Sequence, residues 1–391
     1  MNKMVIDWPS RGHGYLKSEI ASLSDFLKND KTSLTQNSNV VEFENVFSSQ
    51  FTGRKAIALM SAAHALDLIA LRLSTLTNKK TIICPAHTYT ASALSFLRAG
   101  FNVHLVDIDA QDWTISDDFS RGIDKSEVAG VVVVHLYGKA SKNSGKVREF
   151  CNENNAFMIE DCAQALGAKY DGVNVGQLGD FSCFSFHSQK NITTLGEGGM
   201  LVTHDNYVNE FKELRINGHR PYDRKPSEPY WLPAMVDTVE TIEGILPMKS
   251  TMSESQALMG RLVFSRYSDL HAHRHQLIKT FHAALKCNDK VALQEGILDN
   301  EHARHLLPLR IINFDRNELI SQLFEDYRIK AIVQYYPLNR YDLFKKNPNV
   351  TKGDLVHTDE FFDNMISLPF SATLSSKEML YMANALNEIL C

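Results

Sequence analysis

Residues 130–136 read Gly-Val-Val-Val-Val-His-Leu. Four successive valines leave no polar face, so the run suits a strand covered on both sides, as in a parallel sheet flanked by helices. Shorter β-rich runs lie at 56–60, 81–84 and 103–107 before it, and at 156–160, 181–186 and 200–203 after it. Between several of them, residues 63–73, 88–99, 144–154 and 206–216 carry apolar residues at helical spacing. Alternation of this kind is the α/β signature, and it predicts a large domain with a mainly parallel central sheet.

The pattern breaks between 217 and 249, where Gly218-His219-Arg220-Pro221-Tyr222 opens a Pro- and Tyr-containing stretch. An irregular segment of that length reads as a functional loop rather than a connector. A long helical pattern then runs from 253 towards 285, followed by strand-like runs at 306–312 and 329–334. The last helix opens with a capping box, Ser375 to Glu378. The expected division is therefore a large domain over 1–252 and a smaller α/β domain over 253–391.

The chain has 391 residues, 41 basic and 46 acidic, for a net charge of −5. Its 44% hydrophobic and 22% charged residues are ordinary for a globular protein and exclude a disordered chain or coiled coil. No basic block suggests nucleic acid or an anionic membrane as partner. The six cysteines form no CxxC pair, so reduced thiols are expected rather than disulfides or zinc, and no metal is expected. Neither a signal peptide nor an apolar span of about 18 residues is visible, so a cytoplasmic protein is expected.

Four segments could carry chemistry. Residues 180–200, DFSCFSFHSQKNITTLGEGGM, place Ser185, His187 and Lys190 between a β-rich run and a glycine-bearing turn. Lysine is usually a surface charge, but a neutral amine can form a Schiff base with a carbonyl. Asp161 ends the run 156–160 and precedes Gln164. A carboxylate there caps the next helix or meets a cationic partner, and a protonated pyridine nitrogen is one such partner. Ser61, Ala62 and Ala63 follow a strand end and open a helix, an N-cap that can also bind phosphate through free N–H groups. Tyr89 follows another strand end, where an aromatic belongs to the core or stacks on a planar ring. His302, Arg304 and His305 read as a surface or substrate-entrance cluster, and Arg220, Arg224 and Tyr230 as loop residues able to meet an anionic substrate.

Taken together, IEDCAQALGAKYDG, GDFSCFSFHSQKN with GEGG, and HLYGK make the chain resemble the DegT/DnrJ/EryC1/StrS family of pyridoxal phosphate (PLP)-dependent sugar aminotransferases, of the aspartate-aminotransferase fold (fold type I). The resemblance implies that Lys190 carries the cofactor covalently, that Asp161 faces the pyridine nitrogen and that Gln164 packs near the ring. It further implies phosphate binding by Ser185 and by the turn Ser61-Ala62-Ala63, an aromatic contact from Tyr89, and substrate-side places for His187, His219 and Arg220. Two departures stand out. The family's Ser-Gly-Thr turn is Ser61-Ala62-Ala63 followed by His64, and Lys249 occupies the place of an Asn that reaches the phosphate of the neighbouring subunit. The implied reaction moves an amino group, from glutamate as the usual donor, to a ketone of a keto-sugar, nucleotide-linked in the usual case, in surface-polysaccharide or amino-sugar biosynthesis. The implied assembly is a homodimer with shared active sites. The alternatives are an aminotransferase acting on a small non-nucleotide (phosphorylated) ketone, a PLP-dependent sugar dehydratase, in which histidine typically replaces the lysine, and a non-catalytic regulator.

Overall fold

The valine run lies in β4 (Val128–Val134), all seven residues of which are buried. Val132 and Val134 pack into one apolar cluster and Val131 and Val133 into another, so neither face of the strand needs a polar residue. The computed structural model describes residues 4–218 and 244–391. Within them, β1 (Arg54–Leu59), β2 (Thr81–Pro85), β3 (Asn102–Val106), β4 and β5 (Phe157–Asp161) precede a short hairpin, β6 (Lys169–Tyr170) and β7 (Val173–Asn174). Next come β8 (Phe181–Ser185), β9 (Gly199–His204), β10 (Val291–Leu293), β11 (Leu307–Ile311), β12 (Val350–Lys352) and β13 (Met365–Leu368).

Eight of these strands form one sheet in the order β1-β9-β8-β5-β4-β2-β3-β12. Every pairing from β8 to β12 is parallel, whereas β9 runs antiparallel to both β1 and β8. Seven strands thus point one way and β9 the other. Helices Ala62–Leu76, Ala91–Arg98 and Ser144–Glu153 cover the sheet, making it the mainly parallel, helix-flanked sheet anticipated. The smaller sheet, β10-β11-β13, is antiparallel. Its core includes Ile278 and Phe281 of helix Tyr267–Ala284, Leu319 of Arg316–Tyr327, and Met382 and Leu386 of Ser376–Leu390.

Three local expectations change. The helical pattern over 253–285 is two helices, Glu254–Phe264 and Tyr267–Ala284. Arg266, at the break, turns its guanidinium to Glu19 and the Gly14 carbonyl. The run 329–334 makes only isolated bridges, Ile329 with Ile6 and Ile332 with Ser367, because its two ends meet different partners. Strand β12 was not anticipated: Thr351 and Lys352 are exposed, so no apolar pattern marks it. Through β12, residues beyond 253 return to the edge of the large sheet, where Phe344 and Phe361 join its core.

Candidate active site

In open parallel sheets, ligands bind outside the carboxyl ends of the strands. A cavity of about 440 Å³ lies there, lined by Ser61 after β1, Tyr89 after β2, Val134 and Leu136 around the end of β4, Asp161 at the end of β5 and Ser185 at the end of β8. Ala62, Ala63, Gln164, His187 and Lys190 line it as well. Apart from Lys249, every implied catalytic and cofactor residue therefore shares one cavity with His187. Lys249 is exposed, its backbone bridged to Ile216, and it is not among the lining residues. His219 and Arg220, with Arg224 and Tyr230, fall outside the described residues.

Lys190 sits in the connection between β8 and β9. Its strand ends pair Ser185 with Gly199, and Lys190 N–H donates to the His187 carbonyl at 2.9 Å. Gly12 presses on the Lys190 carbonyl so closely that a Cβ there would collide with it. Burial lowers the Lys190 amine to about 8, and the charge of Asp161 offsets part of that fall. An amine lowered this far reaches its neutral form far more readily than an ordinary lysine, as a nucleophile or base requires.

Asp161 is 6% exposed and makes no salt bridge among the described residues. It accepts from Ser92 Oγ at 2.7 Å and from Ala163 N–H at 3.1 Å, with the Cys183 thiol at 3.6 Å. A carboxylate pair of oxygens has room for further donors. A buried carboxylate with spare acceptor capacity at a cavity wall fits a cationic ring nitrogen.

Gln164 is fixed at both ends, its Oε1 accepting from Tyr137 N–H at 2.7 Å and its Nε2 donating to Tyr335 Oη at 2.8 Å. Tyr137 and Tyr335 stack at 6.5 Å with 12° between their planes, and Tyr335 lies 6.1 Å from the half-exposed Tyr89. Tyr89 and Tyr335 line the cavity as an aromatic wall suited to a planar ligand, while Tyr137 is fully buried and not among the lining residues.

At the other end, Ser61 caps helix Ala62–Leu76 and accepts from His64 N–H at 3.2 Å. Gly199 lies directly against the Ser61 carbonyl carbon and Ala62 nitrogen, which leaves no room for a side chain there. The helix begins at the cavity with its dipole positive and its first N–H groups facing no helical acceptor, the arrangement that receives phosphate. Cation partner, aromatic wall, amine and anion cradle together fit PLP.

Sequence reasoning missed Ser92, Tyr335 and the place of His305. Ser92 and Tyr335 belong to no motif, and only the tertiary fold brings them to Asp161 and Gln164. The cluster read as surface or entrance is instead buried: His302 and Arg304 are 2% and 0% exposed. His302 Nε2 meets Gln294 Oε1, and the Arg304 guanidinium donates to the Ile297, His302 and Asp299 carbonyls. His305 lines the cavity, and burial, with the charge of Lys190 next, holds it well below the usual histidine range. Its Nδ1 meets Asn191 Oδ1 at 3.2 Å, while Asn191 Nδ2 is committed to the Ala303 carbonyl. The proton is thus on Nδ1, and Nε2 is an acceptor.

Residues 16–387 match the DegT/DnrJ/EryC1/StrS aminotransferase family. Among curated relatives, a GDP-perosamine synthase of Escherichia coli O157:H7 is 26% identical over 365 residues, 92% of each chain. Among solved structures, Helicobacter pylori PseC, an aminotransferase involved in the biosynthesis of pseudoaminic acid, superposes with a TM-score of 0.86 at 23% identity, over 98% of both chains. The PLP-form of a putative sugar aminotransferase, Spr1654 from Streptococcus pneumoniae, gives 0.82 at 24% identity over 99% of this chain and 100% of that one. With the whole fold and all but the first and last few residues accounted for, the chain belongs to the DegT/DnrJ/EryC1/StrS aminotransferase family and is a PLP-dependent aminotransferase.

Proposed function

We propose that the enzyme transfers an amino group from glutamate to the carbonyl of a keto-sugar, nucleotide-linked, in amino-sugar or surface-polysaccharide biosynthesis. The observation that carries the aminotransferase part of this reading is a lysine amine lowered to about 8 in the same cavity as a buried Asp161 that makes no salt bridge among the described residues. A dehydratase of the family would be expected to have histidine in place of Lys190, and a silent regulator has no need of an amine so tuned.

When bound, the cofactor supplies an electron sink for the carbon that loses its proton. Asp161 would hold a proton at the pyridine nitrogen, its carboxylate fixed by Ser92 on one oxygen and by Ala163 N–H on the other. Gln164, locked between Tyr137 and Tyr335, gives the ring a rigid neighbour. Ser61, Ser185 and the helix start at Ala62 and Ala63 bind the phosphate, and Lys249 reaches the phosphate of the partner subunit in a homodimer. Lys190 Nζ takes the α-proton of the amino donor and, in the second half-reaction, returns a proton to the former carbonyl carbon of the acceptor. His187, with His219 and Arg220, lies on the substrate side. The enzyme works in the cytoplasm, where glutamate and keto-sugars meet, and the two half-reactions imply ping-pong kinetics.

The test is a pair of half-reactions followed by absorbance. PLP-loaded enzyme mixed with glutamate should lose its visible band, and a panel of nucleotide-linked and phosphorylated keto-sugars should then be tried for its return. The ketone that restores the band names the acceptor. A spectrum unmoved by glutamate and by every other common amino acid would sink the proposal.

A further inference from the structure

We infer that His64 acts as a positioning residue for the cofactor phosphate, turning the single proton of the Ser61 hydroxyl into the cavity. The inference rests on the assignment of Ser61 to the phosphate cradle. Three observations meet at this turn. Ala62 and Ala63 carry no hydroxyl, so Ser61 is the one side-chain donor in the cradle formed by residues 61–63. Ser61 Oγ already accepts from the His64 backbone N–H at 3.2 Å. His64 Nδ1 lies 2.8 Å from the same oxygen, the imidazole folding back over the first turn of its own helix.

A serine hydroxyl has one proton and two acceptor sites. Were Nδ1 unprotonated, Ser61 would donate to it and spend its proton inside the turn. The oxygen would then offer the cavity nothing but a lone pair, which an anion repels. With the hydrogen on Nδ1, both acceptor sites are filled, one by Nδ1–H and one by the backbone N–H. The Ser61 proton must then point away from the turn, and Ser61 lines the cavity. An anionic ligand selects the second arrangement, because only it supplies a donor. In that arrangement the hydroxyl has no competing acceptor within the turn, so its proton loses less rotor freedom to the ligand than that of a lone serine. His64 thereby compensates for the hydroxyl that residue 63 lacks.

The probes are pyridoxamine 5′-phosphate and pyridoxamine, which differ only in the phosphate and cannot link to Lys190. Their dissociation constants are measured by titration calorimetry on the full chain. His64→Leu, which keeps bulk but no donor, should bind pyridoxamine 5′-phosphate about tenfold more weakly, the scale of one hydrogen bond to a charged group. Pyridoxamine affinity should stay unchanged. His64→Asn, whose Nδ2–H can take the place of Nδ1–H, should recover most of the loss. Ser61→Ala should weaken the phosphorylated probe, and adding His64→Leu to it should cost nothing further, since the two residues act through one proton. Unaltered binding in His64→Leu while Ser61→Ala is weakened would overturn the inference and spare the cradle. Equal weakening of both probes would show a merely structural role and overturn it too. Unaltered binding in Ser61→Ala would instead remove the phosphate from this turn and take the cradle assignment down with it.

Discussion

Glu160 and Asp161 are adjacent on β5, both buried, and face opposite sides of the sheet, as successive strand residues must. Glu160 accepts from His135 Nε2 at 2.9 Å, Gly176 N–H at 2.9 Å, Gly179 N–H at 2.6 Å and Ser182 Oγ at 3.3 Å. Burial pushes its carboxyl up, but the hydrogen bond from His135 and the two backbone donors outweigh that and hold it below the usual range. His135 Nδ1 in turn accepts from Ser141 N–H, so both its nitrogens are engaged. Nothing is left over for a ligand or a metal ion. Asp161 has fewer donors and a cavity in front of it. The contrast teaches that burial alone does not mark a functional carboxylate. What marks it is acceptor capacity that the fold leaves open.

That contrast can be broken at several points. Lys190→Ala should abolish both the visible band and amino transfer, which absorbance with glutamate checks directly. Asp161→Asn should slow the glutamate half-reaction by about 10²- to 10⁴-fold, the range of positioned proton-transfer groups, with its unfolding midpoint in urea unchanged. Glu160→Gln should do the reverse. It should lose about 1–3 kcal/mol of stability, as when buried donors lose their acceptor, while turnover per folded molecule holds. If Asp161→Asn proved the less stable variant, or Glu160→Gln the slower enzyme, the division between the two carboxylates would fail.

Gly199→Ala sharpens the picture at the far end of the cavity. A methyl group there meets the backbone of Ser61 and Ala62, so stability should fall by about 1–3 kcal/mol and cofactor should dissociate faster in dialysis. The last effect is one of pH on the cofactor-free protein. The folded amine of Lys190 titrates at about 8, below the unfolded lysine value of about 10.4. Between these values the unfolded chain binds more protons, so stability should rise with pH across the window. Urea unfolding of Lys190→Met should lack that rise.

The strands at the site end were legible because each ends in an apolar run long enough to see, and the residues that terminate them carry the chemistry. Asp161 and Lys190 could be picked out by residue type and by the motifs around them. Ser92, Tyr335 and His305 could not, since each reaches the cavity through contacts between segments far apart in the chain. The His305 cluster was misplaced because charged and imidazole side chains read as exposed. Here carbonyl acceptors inside the fold satisfy the Arg304 guanidinium, which no local pattern encodes. Strand β12 escaped notice because an edge strand needs backbone pairing and not apolar side chains.

The strap over Lys190 has a consequence for the order of events in folding. Gly12 N–H donates to the Ser188 carbonyl, Thr193 N–H donates to His13 Nε2 across 180 residues, and Arg274 Nη2 donates to the Gly12 carbonyl across 262. Each contact closes a long loop, and such closures come after local structure has formed. The parallel pairings from β3 to β8, which close shorter loops, can therefore form while the lysine loop is still unclamped. Cofactor capture then belongs to the last stage of folding, and a newly folded chain should show native helix and strand content before it acquires colour.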